Sequence, residues 1–182
     1  QNPLYDASLN SFDKTGYQSL TNNFSIEWNI MEGLMLRGQL GISSTDNSSD
    51  YFLPAEHSYF TTGDKKAEYA TDEGFFRRGL YRYGTGKEYS YSGNVTMTYN
   101  RTFAEKHLLS VGIDWSLAET QSRSYSFELE GFSSEDMSFL GNARQYMKDG
   151  IPNGLKTSTR RFGLTGNVNY IYDGRYYVDL AY

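Results

Sequence analysis

At 182 residues the chain is long enough for one domain with a packed core and too short for more than two. A net charge of −5 without a basic cluster gives nucleic acid nothing to hold, and the absence of cysteine removes disulfides, thiol nucleophiles and Cys-based zinc sites. No apolar run approaches the roughly 20 residues of a spanning helix and no charged-then-apolar leader opens the chain, yet a mean hydropathy of −0.65 leaves a membrane β-barrel open, because only every second residue of its strands must be apolar.

Residues 1–19 are rich in turn formers (Pro3, Asp6, Asn10, Asp13, Gly16) without a sustained period, which predicts an exposed loop. A first strand is expected over 20–30, with Phe24, Ile26, Trp28 and Ile30 on one face and Ser25, Glu27 and Asn29 on the other. After a turn at 31–33 the pattern resumes over 34–45, setting Leu34, Leu36, Leu40 and Ile42 against Met35, Arg37 and Gln39. A long polar stretch, 46–86, follows without a clean period, and a short hairpin is expected within it near 75–83. A third strand, 89–100, alternates Tyr91, Val95, Met97 and Tyr99 with Ser92, Asn94, Thr96 and Thr98. A short turn leads to a fourth at 109–117, extending towards 129, where Leu109, Val111, Ile113, Trp115 and Leu117 alternate with Ser110, Gly112, Asp114 and Ser116. Residues 130–156 form a second long segment with a weakly helical piece at 134–147. A fifth strand at 157–172 places Phe162, Leu164, Val168, Tyr170 and Tyr172 opposite Arg161, Thr165, Asn167 and Asn169. The Asp173-Gly174 pair signals a hairpin into a sixth strand from Arg175.

The expected class is all-β, an antiparallel meander of about six long strands. Connections alternate short and long, and the strands reach or exceed the roughly 9–11 residues that cross a tilted bilayer, which is the pattern of a membrane barrel. Trp28, Tyr99, Phe103, Tyr170, Tyr172 and Tyr176 gather by the short turns, as an interfacial girdle would. Glu27, Arg37, Gln39, Asn94, Asp114, Asn167 and Asn169 would then face the lumen. The alternative is a soluble β-sandwich, a glycan-binding or adhesin module whose aromatic residues face a closed core.

Catalytic signals are weak. His57 and His107 have no partner at ligand spacing, no G-x-S-x-G elbow occurs, and Gly84-Thr85-Gly86-Lys87-Glu88 fails the phosphate-loop pattern. Asp46, Asn47 and Asp50 lack the central Gly and closing Glu of a calcium loop. No enzyme, metal or cofactor is expected. Tyr51, Phe52, Tyr59, Phe60, Phe75, Phe76, Tyr81 and Tyr83, interleaved with Lys65, Lys66, Arg77, Arg78 and Arg82, are candidates for stacking on sugar rings. They serve equally to pack the loop on itself or on a partner.

Four stretches resemble SusC/RagA-type, TonB-dependent outer-membrane transporters of Bacteroidetes: NPLYDA (2–7), FSIEWNIMEGLMLRGQLGI (24–42), EKHLLSVGIDW (105–115) and FGLTGNVNYIYDGRYYVDLAY (162–182). They cover both ends and the middle. The resemblance implies a transmembrane β-barrel of about 22 strands in the bacterial outer membrane, a SusD-like surface lipoprotein over its mouth, and energy from the TonB complex acting on a plug. Residues 1–182 are then expected to be part of such a barrel, with two long outer loops but without a plug domain. The implied activity is import of a bulky nutrient, oligosaccharide first and peptide second.

Overall fold

In the computed structural model, which describes residues 3–182, a short helix α1 (Pro3–Ser8) precedes strands β1 (Phe12–Met31) and β2 (Leu34–Leu53). Two short helices, α2 (Lys66–Tyr69) and α3 (Asp72–Phe76), lie in the connection to β3 (Leu80–Phe103) and its neighbour β4 (His107–Glu130). After a two-residue strand β5 (Gln145–Tyr146) come β6 (Asn153–Tyr172) and β7 (Tyr176–Ala181). The strands form a single sheet in the order β1-β2-β3-β4-β6-β7, with β5 paired to β4. Among the described residues there is no second sheet packed on it, so the sandwich alternative is not realised.

The strands outrun their apolar stripes, because backbone pairing extends a strand as long as a neighbour is present, whatever its side chains. Residues 12–19, expected in a loop, belong to β1; β2 runs on through the polar residues to Leu53, and β3 begins at Leu80. The expected hairpin at 75–83 is absent. Thr71 caps α3 there by accepting from the Gly74 N–H at 3.0 Å, and Gly79, at φ +88°, turns the chain into β3. The expected helix at 134–147 is also absent: only a 3-10 turn at Leu140–Asn142 forms before β5 pairs with Leu129 and Glu130. Asn2, in the first resembling stretch, lies outside the described residues.

Two compact units divide the chain. The loop unit takes the residues up to Gln18 with Thr45–Lys87 and Ser122–Lys156; the wall unit takes Ser19–Ser44, Glu88–Gln121 and Thr157–Tyr182. The buried apolar clusters among the described residues belong to the loop unit: Phe52, Tyr81, Leu129 and Phe132 form one, Leu53, Phe60, Tyr69 and Leu80 the other. Its first long connection is tied to the end of β4 by a buried ion pair. Arg77 donates through Nε and an Nη to the two oxygens of Glu130, at 2.8 and 3.1 Å, and its guanidinium lies 5.6 Å from the Tyr69 ring centroid. Glu130 also accepts from Gln145 at 2.8 Å and from the Lys148 N–H at 3.1 Å.

The wall unit holds the three short turns. Gly33, at φ +79°, is required in the first, since a Cβ there would lie 2.1 Å from the Asn100 carbonyl oxygen. Its own carbonyl accepts from the Asn100 N–H of β3 at 2.7 Å, and the Asp173 N–H donates to the Lys106 carbonyl at 2.8 Å, so the first turn is bonded to its neighbouring strand and the other two turns to each other.

Arg77→Met leaves the buried Glu130 carboxylate without its cation and is expected to cost about 3–5 kcal/mol, whereas Glu130→Leu, after which Arg77 keeps Glu68 at 3.2 Å, should cost less. The double replacement should recover much of that loss, measured by chemical denaturation of the loop unit in the protein carrying it.

Candidate functional site

In the wall unit, the pleat sorts side chains onto two chemically different faces. On the polar face Arg37 pairs with Glu27 at 2.8 Å across β1 and β2, and Asp114 accepts from Asn94 and Thr96, each at 2.7 Å, across β3 and β4. Thr21 and Ser43 share a hydrogen bond at 3.1 Å, and Ser110 donates to Asn100. Each group finds a partner on the next strand, as expected for ladder neighbours. The register Asn167↔Ala181 and Asn169↔Asp179 puts the two asparagines on one face of β6 and β7, with Val168↔Leu180 and Tyr170↔Val178 on the other. Gln39 is exposed on β2.

The opposite face is apolar and open. Ile26 is 71% exposed, Trp28 59% and Phe162 67%, with no element of the wall unit covering them. Near the short turns the expected aromatic residues cluster: Tyr172 stacks on Tyr176 at 6.2 Å and meets the His107 ring at 4.9 Å, while His107 and the Tyr170 hydroxyl lie 2.6 Å apart. Arg101 covers Phe103 at 5.2 Å, and Tyr99 is half-buried. Tyr91, from the stripe of the third strand, meets two residues without a sequence signal of their own, Glu119 and Arg160, further along this face. Glu119 accepts from the Tyr91 hydroxyl, from Arg160 Nε at 2.8 Å and from Gln121 at 2.7 Å. The stripe Leu109 to Leu117 is legible, and Glu119 is simply its next step.

In the loop unit, the candidate ring residues divide. Phe52, Phe60 and Tyr81 are buried, Tyr51, Tyr59 and Tyr83 half-buried, and Phe75 and Phe76 exposed. Phe52 meets Phe132 edge-on at 5.2 Å and Phe12 at 5.6 Å, so these rings are the packing of the loop itself. Phe75 and Phe76 instead help line a cleft of about 500 Å³. Arg78 lies 4.9 Å from the Phe75 centroid and Arg144 5.0 Å from that of Phe76. Arg78 is set by its two bonds to the Tyr69 carbonyl, at 3.2 and 2.8 Å. Arg144 comes from the second long connection, so adjacency in sequence does not reveal the pairing. Two guanidinium groups and two open rings, with Glu56 on the rim, suit a ligand carrying an apolar group beside an anionic one.

Other sequence candidates are accounted for by local structure. Asp46 pairs with Lys87 at 2.9 Å and Asp50 accepts from Tyr81 at 2.6 Å. His57 accepts from the Tyr59 N–H at 3.1 Å, capping a 3-10 turn. Among the described residues no group of three or more His, Asp or Glu is placed to hold a metal.

No family model matches the chain, and no curated protein does. Solved structures do. The RagAB peptide transporter superposes on 94% of this chain with a TM-score of 0.78 at 17% identity. The RagAB peptide importer in its closed-closed and open-open states gives 0.72 at 18% identity, again over 94%. The chain folds like a stretch of the RagAB transporter. It spans about 18% of the RagAB chain it matches. The likeness is one of fold, and it meets the SusC/RagA resemblance of the sequence.

Tyr81 offers a pH readout of loop packing. Burial, followed by its bond to Asp50, pushes its phenol from 10.0 up to about 12. Its contribution to stability is therefore intact below pH 10 and is lost as the pH rises towards 12. Absorbance titration of Tyr81→Phe should lose one tyrosine from the late-titrating part of the wild-type curve, and unfolding midpoints of the wild type should fall more steeply over this window than those of the variant.

Proposed function

We propose that this chain is part of the wall and outer mouth of a TonB-dependent outer-membrane importer of the SusC/RagA type. On this reading further strands close the sheet into a barrel. The apolar face of the wall unit meets lipid, and the face of Glu27, Arg37, Gln39, Asn94, Asp114, Asn167 and Asn169 lines the lumen. A SusD-like lipoprotein lies over the mouth, and TonB pulls on a plug so that cargo captured between barrel and lid enters the periplasm. No covalent step is involved. The observation that carries the reading is the open apolar face of the wall unit, backed by a hydrogen-bonded polar face, in a sheet with the fold of a RagAB stretch.

For cargo, the loop geometry favours peptide over oligosaccharide. The rings suited to sugar stacking mostly pack on one another, whereas the open cleft pairs Phe75 and Phe76 with Arg78 and Arg144. Carboxylate and apolar side chain together are a peptide's chemistry, and RagAB is itself described as a peptide transporter.

Lysine in place of Val111 or Leu36 should cost about 2–4 kcal/mol at mid-bilayer and reduce the full-length protein in the outer-membrane fraction. Lysine in place of Thr96 should not. Normal insertion of both apolar-face variants would sink the membrane reading. Replacing Arg78 and Arg144 by alanine should weaken binding of an acidic peptide about tenfold and leave a neutral oligosaccharide unaffected. The opposite selectivity would return oligosaccharide to first place.

A further inference from the structure

The apolar face of the wall unit is not uniformly smooth. Between Phe24, Leu40, Trp115 and Leu117 runs a groove of about 380 Å³, its floor lowered by Gly38 and Gly93. A Cβ at Gly93 would meet nothing within 4 Å, so the space there is open. Two residues beyond Leu117 and two before Gly93, on the same face, stand Glu119 and Tyr91, joined to Arg160. The cluster thus borders the end of the groove away from the short turns. From His107 to Leu117 the stripe has the length of one bilayer crossing, so this border falls where hydrocarbon gives way to headgroups.

The charges at the border are unequally accessible. Glu119 is 6% exposed, with both carboxylate oxygens engaged by Tyr91, Gln121 and Arg160. Arg160 is held through Nε and stays 73% exposed. A ligand reaching the groove from this end meets a guanidinium, oriented by a carboxylate that is itself shielded. That favours an anion on a long apolar tail.

We propose that the groove seats an acyl chain of a phosphate-bearing membrane lipid, with its phosphate against Arg160. The site rests on the membrane reading above. It makes Tyr91, Glu119 and Arg160 a lipid-recognition cluster.

The test uses the full-length protein in phosphatidylcholine vesicles containing increasing fractions of phosphatidylglycerol with brominated acyl chains. The Trp115 signal is isolated by subtracting the emission of Trp115→Phe. Half-quenching should require about fivefold more brominated phosphatidylglycerol in Arg160→Gln, the effect of one basic side chain at an anionic membrane surface. Arg160→Lys should restore most of it. The double variant Glu119→Gln with Arg160→Gln, which strands no charge, should match Arg160→Gln. Gly93→Leu, filling the groove, should reduce quenching at every fraction. Equal curves for wild type and Arg160→Gln would overturn the lipid site while leaving the membrane reading intact. Absence of quenching by brominated phosphatidylcholine as well would overturn both.

Discussion

The wall depends on closing every backbone hydrogen bond between neighbouring strands. In the wall unit neither face supplies a packed core, and the stripe Phe24 to Ile30 and Leu109 to Leu117 on the apolar face carries almost no side chain able to satisfy a stray N–H or carbonyl. On the membrane reading proposed above, each unpaired group against hydrocarbon would cost several kcal/mol. The ladder therefore has to run without breaks, and the bonds from Asn100 to Gly33 and from Asp173 to Lys106 carry it into the turns. Side chains are left free to differ by face, which is how one sheet can be wet on one side and greasy on the other.

The loop unit is held by a different physics. There Phe52, Phe132, Phe60 and Tyr69 make a conventional core, and Arg77 and Glu130 join the first long connection to the end of β4, far apart in sequence. Such a pair is a weak source of net stability but a strong arbiter of geometry, because misplacing either partner leaves a bare buried charge. The cleft beside Phe75 and Phe76 benefits, since Arg78 and Arg144 reach it from elements whose approach that pair constrains. A ligand cleft of the kind proposed above needs this kind of fixed frame more than it needs additional contacts.

The wall was the legible part of the sequence. Alternation at Phe24 to Ile30, Leu109 to Leu117 and Phe162 to Tyr172 assigns strands, faces and short turns, because the period of two is imposed by the backbone and survives any change of fold partner. Strand ends were not legible. Residues such as Asn47 and Ser48 in β2 have no apolar stripe, and they are strand only because their neighbours are. In the loops, ring residues announce aromatic packing but not which ring is covered: Phe60 and Phe75 look alike in sequence and differ entirely in exposure. Arg144 and Arg160 gain their roles from cross-strand or cross-loop partners, and local sequence holds no record of such partners.

The strict two-sidedness of the wall also limits how it can change. Insertion of a single residue within β3 or β4 would exchange the two faces beyond that point, sending Asp114 and Thr96 towards the apolar side and Trp115 and Val95 towards the polar one. Tolerable length changes in the strands therefore come in pairs or are absorbed by a bulge. The connections between β2 and β3 and between β4 and β6 face no such parity rule. Those connections can change one residue at a time while the wall keeps count.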